Sequence, residues 1–71
     1  MQEKQNHTAI EFYEQSLTIY IKILGEKHPD VAMVYTNLGA AWSSLGNQEK
    51  AIEYELKALA INEATYEFGH P

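Results

Sequence analysis

A chain of 71 residues supports one domain at most, and at that size folding buries only about 60% of the unfolded surface, so its core is marginal. The absence of cysteine excludes a disulfide framework and a thiolate metal site, which leaves regular packing or a partner to supply stability. Ten acidic residues stand against five basic ones, all lysine (Lys4, Lys22, Lys27, Lys50, Lys57), for a net charge of −5. That is the opposite of the basic, arginine-bearing footprint of a nucleic-acid binder, and nucleic acid is not an expected partner. The opening MQEKQNHT has no apolar run behind a basic start, and no stretch approaches the ~20 apolar residues of a membrane helix. The expectation is a soluble cytoplasmic protein with no membrane partner.

The first predicted helix runs from about Thr8 to Leu24, with Ala9, Phe12, Tyr13, Leu17, Tyr20 and Leu24 at spacings of three and four. Within it, Ile19-Tyr20-Ile21-Lys22-Ile23 alternates with a period of two and is β-branched, a pattern that alone suggests a strand. Its later counterpart, Ile61-Asn62-Glu63-Ala64-Thr65, does not alternate, so the segment is read as helix. Being apolar nearly all round, it calls for burial on two sides. Gly25 and His28-Pro29 close this segment. Pro29 suits a first helical position and Asp30 complements the helix dipole, which predicts a second helix from about 29 to 45. Gly46-Asn47 makes the next break. Asn47 is a natural cap for a third helix over about 47 to 66, which carries Glu49 in its first turn and then Ala51, Tyr54, Ala58, Leu59 and Ile61. Gly69 and Pro71 mark its close.

The chain repeats itself. Ala9-Ile10-Glu11-Phe12 recurs as Ala51-Ile52-Glu53-Tyr54, Leu17 and Ile19 as Leu59 and Ile61, and His28-Pro29 as His70-Pro71, each at an offset of 42. A constant offset across a helix and the turn that follows it is the mark of stacked supersecondary units. The run Tyr35-x-x-Leu38-Gly39-x-x-Trp42, followed by Gly46 in a turn and by Ala51 and Ala58, resembles the tetratricopeptide repeat. Gly39, Ala51 and Ala58 are small where two antiparallel helices approach closely, and Tyr35, Leu38 and Trp42 fill the groove beside them. The period of 42 exceeds the usual 34 by about two helical turns. With the junction LGEKHPDVA at 24–32, this long form resembles the kinesin light chain type of the repeat. The resemblance implies an all-α fold of antiparallel helix-turn-helix units, an α-solenoid segment whose three helices fall in the order B-A-B across residues 1–71. One position departs from the pattern: the aromatic slot four residues after Ala51 holds Glu55, whereas Tyr13 follows Ala9, and Tyr54 sits one place early. A glutamate there predicts that this face of the third helix is not fully covered.

No catalytic machinery is visible. His7, His28 and His70 lack a second histidine at ligand spacing, and two of them are repeat equivalents in turns, so no metal or other cofactor is expected. The pairs Glu49/Glu53 and Glu11/Glu14 read as solvated charge, since nothing polar converges on them. Ser43-Ser44 has no G-x-S-x-G context, the glycines are too scattered to cradle a phosphate, and the aromatic residues read as core. The expectation is a protein that is not an enzyme.

The resemblance also implies a binding surface. The first helix of each pair lines a concave groove, and the residues facing it here would be Met33, Thr36, Asn37, Ala40, Ser43 and Ser44. They are small, polar or uncharged. Asn37 matches the asparagine that grips the backbone of an extended peptide in such repeats, because an amide donates to and accepts from a main-chain amide at once. With no lysine or arginine from Pro29 to Glu49, recognition of an acidic chain terminus is not expected. The resemblance therefore implies a module that binds proteins or peptides. A competing expectation is self-assembly. The first helix would lack the helix that precedes it in an array and the third the one that follows, which predicts a homodimer or higher oligomer, with helices exchanged through the Gly25 or Gly46 turns.

Overall fold

The computed structural model describes the backbone of residues 2–69 and the side chains of residues 7–63. It contains three helices: α1 (Gln2–Leu24), α2 (Pro29–Ser44) and α3 (Gln48–Gly69). Helix α1 starts earlier than the apolar pattern suggested. Gln2, Glu3, Lys4 and Gln5 are good helix formers with no glycine or proline among them, so nothing stops the helix at Thr8. The Ile19–Ile23 segment is helical, and its alternation reflects composition rather than a strand. The repeated junction His70-Pro71 lies outside the described residues.

Each turn has a local chemical cause. Gly25 adopts φ +93°, a left-handed conformation that glycine reaches without a Cβ penalty, while its N–H still donates to the Ile21 carbonyl at 3.0 Å. His28 caps α2: its Nδ1 accepts from the Asp30 N–H at 3.0 Å, Pro29 takes the first helical position, and Asp30 places negative charge in the first turn. At the other end of α2, Gly46 (φ +88°) donates to the Ser43 carbonyl at 2.9 Å, and Asn47 donates to the Trp42 carbonyl at 2.9 Å. These are the two bonds of a Schellman motif. The Asn47 side chain then accepts from the Lys50 N–H at 3.1 Å, so one residue finishes α2 and caps α3.

Helix α2 lies between α1 and α3, whose backbones do not approach each other within 8 Å among the described residues. Val31 and Leu38 are fully buried on α2. One apolar cluster joins Val34, Leu38 and Ala41 to Ile10, with Tyr13 and Leu17 of α1 and Tyr54 of α3 packed around it; a second joins Val31 and Ala32 to Ala58 and Ile61. The helices approach closely at Gly39. A Cβ placed there would stand 3.1 Å from the Ala51 carbonyl oxygen and 3.1 Å from Glu55 Cγ, so even a methyl group requires α2 and α3 to give by a few tenths of an ångström. Around it, Tyr35 stacks on Tyr54 at 5.9 Å. Tyr54 is therefore the aromatic that packs, and Glu55 is exposed with its methylenes beside Gly39.

The face that α1 turns to α2 is narrower than its periodicity suggested. Ile10, Tyr13, Leu17 and Ile21 pack on α2, while Phe12 and Ile23 are wide open and Tyr20 and Leu24 are exposed too. On α3, Ala51, Tyr54, Ala58 and Ile61 face α2, whereas Leu59 points outward with Ile52 and Leu56.

Candidate functional site

The open surface of α2 is set by what its neighbours cover. Val34 and Ala41 turn toward α1, Ala32 and Gly39 toward α3, and at 100° per residue the arc left over holds Met33, Thr36, Asn37, Ala40, Ser43 and Ser44. Met33, Thr36, Ala40, Ser43 and Ser44 are exposed and Asn37 is half-buried, so the six residues form one continuous stripe along the helix.

Part of this stripe is recessed. Asn37, Ala40 and Ser44 line a hollow of about 220 Å³ with Ala9, Tyr13 and Ala41, so the hollow runs along the seam between α1 and α2. Met33, Thr36 and Ser43 lie on the same face outside it. Among the described residues no charged side chain lines the hollow, and Ala9 and Ala40 keep it open by their small size. The polar groups of the stripe are in different states. The Thr36 hydroxyl donates to the Ala32 carbonyl at 3.1 Å, and Ser43 Oγ accepts from Gln48 Nε2 at 3.5 Å. The Asn37 amide makes no hydrogen bond within the described residues, which leaves its two donors and its acceptor available to a ligand. Ala9 and Tyr13 are wall residues that the sequence reading assigned to packing. The half-burial of Tyr13 lets it do both: one side meets Ile10, Val34 and Leu38, and the other faces the hollow.

A second hollow, of about 270 Å³, lies among α2, α3 and the α1–α2 turn. It is lined by Glu26, Lys27, Tyr35, Lys57, Ala60 and Ile61. Lys57 Nζ stands 5.6 Å from the Tyr35 ring centre and 5.7 Å from that of Tyr54, over the stacked pair. Burial pushes the Tyr54 hydroxyl above its usual 10.0, with Glu14, Glu53 and Tyr35 adding to the shift. Lys50 sits 5.0 Å from the centre of the Trp42 ring, whose buried Nε1 has no hydrogen-bond partner among the described residues. Among the described residues no three His, Cys, Asp or Glu side chains gather as a metal site would require. The acidic pairs Glu11/Glu14 and Glu49/Glu53 are exposed.

The model of the family described as tetratricopeptide repeat matches residues 1–64. The chain belongs to the tetratricopeptide repeat family. Repeats of this family act as protein-interaction modules and are typically non-catalytic scaffolds. Neither the curated proteins nor the solved structures gave a match to this tetratricopeptide repeat chain. No helix of the described residues is long and apolar enough to cross a membrane.

Proposed function

We propose that this tetratricopeptide repeat chain binds extended peptide segments of partner proteins along the open face of α2, without catalysis and without a cofactor. The observation that carries this reading is the Asn37 amide, unpaired at the edge of an uncharged hollow between α1 and α2. A peptide backbone laid along the stripe would exchange N–H and C=O bonds with that amide, while Ala9, Tyr13 and Ala40 take a small apolar side chain in the hollow. Met33, which is exposed, supplies an adaptable apolar contact at one end of the stripe, and Ser43 and Ser44 supply hydroxyls at the other. The 42-residue offset and the LGEKHPDVA junction support the long, kinesin light chain-like form of the repeat within a single repeat domain over 1–71. The acidic balance disfavours nucleic acid, and a cytoplasmic setting fits a chain without cysteine.

The test is selection of random linear peptides against the whole chain, followed by affinity measurement on variants. Asn37→Ala should weaken the selected peptides about tenfold, the loss of one to two main-chain hydrogen bonds, and Ala40→Glu should abolish binding by filling the hollow with charge. Selected peptides that bind both variants as tightly as the parent would refute this site.

Self-assembly is the second reading, favoured by the apolar surface on the two outer helices: Phe12, Ile19 and Ile23 on α1, and Ile52, Leu56 and Leu59 on α3. It predicts a mass that rises with concentration in light scattering and an indifference to Asn37→Ala. A single-chain mass at all concentrations removes it.

A further inference from the structure

The open stripe of α2 has a wall on each side, and the two differ in charge. On the α1 side Ala9 and Tyr13 are uncharged. The α3 side is located by Gln48, whose Nε2 reaches Ser43 Oγ of the stripe at 3.5 Å. Glu55 is seven residues further on, two turns and within about 20° of the same line along α3. Its Cγ would stand 3.1 Å from a Cβ at Gly39, so the missing side chain of Gly39 is what gives the Glu55 methylenes their seat. Gly39 adjoins Ala40 and lies one turn from Thr36 and Ser43, which places Glu55 at the edge of the stripe opposite Asn37. The Glu55 carboxylate makes no hydrogen bond or ion pair among the described residues. No lysine stands near enough to offset its charge: Lys50 and Lys57 are held over the Trp42, Tyr35 and Tyr54 rings on the other flank of the α2–α3 pair, and Lys27 lines the second hollow. The one charged residue of α2 itself is Asp30, seven before Asn37 on that residue's edge, and it too is acidic.

We infer that Glu55 sets the specificity of the groove for a cationic peptide, a partner segment whose lysine or arginine side chain crosses the stripe to pair with the Glu55 carboxylate while its backbone is held at Asn37. This rests on the peptide-binding reading and narrows it to one class of partner. The position explains why a residue that departs from the aromatic pattern of the repeat is tolerated: Tyr54 supplies the ring that stacks on Tyr35, so position 55 is released from packing and carries a binding group instead. Arginine suits the site best, because its planar fork can take both carboxylate oxygens at once. The net charge of −5 acts in the same direction at long range, drawing a basic segment toward the chain before contact is made.

The probes are random linear peptides selected against the whole chain, keeping those that weaken on Asn37→Ala. The expected result is a lysine or arginine at one fixed position among them. Replacing that residue with alanine, or Glu55 with glutamine, should each weaken binding about three- to fivefold, the range of a solvent-exposed ion pair, and the two changes together should cost no more than either alone. Glu55→Lys should weaken the same peptides about tenfold and favour a peptide with glutamate at the fixed position. Glu53→Gln removes the same charge from another flank of α3 and should leave the affinity unchanged, which separates a local pair from the general pull of an acidic chain. Glu55 is exposed and glutamine keeps its methylenes, so a retained helical circular dichroism spectrum shows that folding is not what changed. Peptides that need Asn37 yet carry no fixed cation, or bind Glu55→Gln as tightly as the parent, overturn this inference and leave the groove standing. A selection that yields no binder, or only binders indifferent to Asn37→Ala, removes the groove and this inference with it.

Discussion

Gly39→Leu puts the close approach of α2 and α3 to a quantitative test. Even a Cβ at this position falls 3.1 Å from the Ala51 carbonyl oxygen, a backbone atom that cannot turn aside, and 3.1 Å from Glu55 Cγ, which can. The remaining carbons of leucine must then push α3 away from α2, and overpacking of this kind costs about 1–3 kcal/mol. Leucine regains about 0.8 kcal/mol of helix propensity over glycine, which leaves a net loss of roughly 0.2–2 kcal/mol. At about 0.05–0.15 kcal/mol per residue the whole chain has roughly 4–10 kcal/mol to lose. At about 4–8 °C per kcal/mol for a domain this small, thermal unfolding followed by circular dichroism should show Tm falling, by up to roughly 15 °C. Gly39→Ala is the internal control. Its single methyl needs a shift of a few tenths of an ångström, against a propensity gain of about 1 kcal/mol, so it should stay within about 1 kcal/mol of the parent. A leucine variant as stable as the alanine one would refute the close crossing and the packing derived from it.

The two turn caps should behave as independent units: His28→Ala removes the acceptor for the Asp30 N–H and Asn47→Ala the acceptor for the Lys50 N–H, each costing about 1 kcal/mol in denaturant unfolding, and Asn or Ser in place of His28 should restore the first. Because the folded state raises the Tyr54 hydroxyl above 10.0, it favours the neutral phenol; the stability tied to that group is complete below pH 10 and lost as pH rises through the higher folded value. Tyr54→Phe cannot ionise, so the parent should lose stability faster than the variant above pH 10 in parallel denaturant titrations, and identical pH profiles would show the group to be unperturbed.

The two turns between the helices were legible because the breakers act locally, whereas the start of α1 and the end of α3 run beyond the apolar pattern. Gly25, Pro29, Gly46 and Asn47 each do in the structure what their chemistry dictates, through two positive-φ glycines and two side-chain caps. The small-residue positions were legible for the same reason, since Gly39, Ala51 and Ala58 mark a close approach whatever surrounds them. Which flank of each outer helix is covered was not legible from periodicity. In α1 the apolar residues span two adjacent faces, and both Phe12 and Tyr13 fit a spacing of three or four; only the position of α2 decides that Tyr13 packs and Phe12 does not. The same applies to Tyr54 and Glu55, where the aromatic displaced by one position finds Tyr35 as its stacking partner. The stripe from Met33 to Ser44 lies on an open face of α2, whereas the Ala9–Tyr13 wall and the Lys57 seat over two tyrosines depend on neighbours distant in sequence.

The central claim is that the open face of α2 is where a partner peptide lies, and amide chemical-shift mapping of the whole chain with a selected linear peptide tests it most directly. The account predicts perturbations concentrated on Met33, Thr36, Asn37, Ala40, Ser43 and Ser44, spreading across the seam to Ala9 and Tyr13, with the Asn37 side-chain amide among the largest. Perturbations confined to the Tyr35–Lys57 hollow or to the outward faces of α1 and α3, with the α2 stripe unmoved, would contradict it.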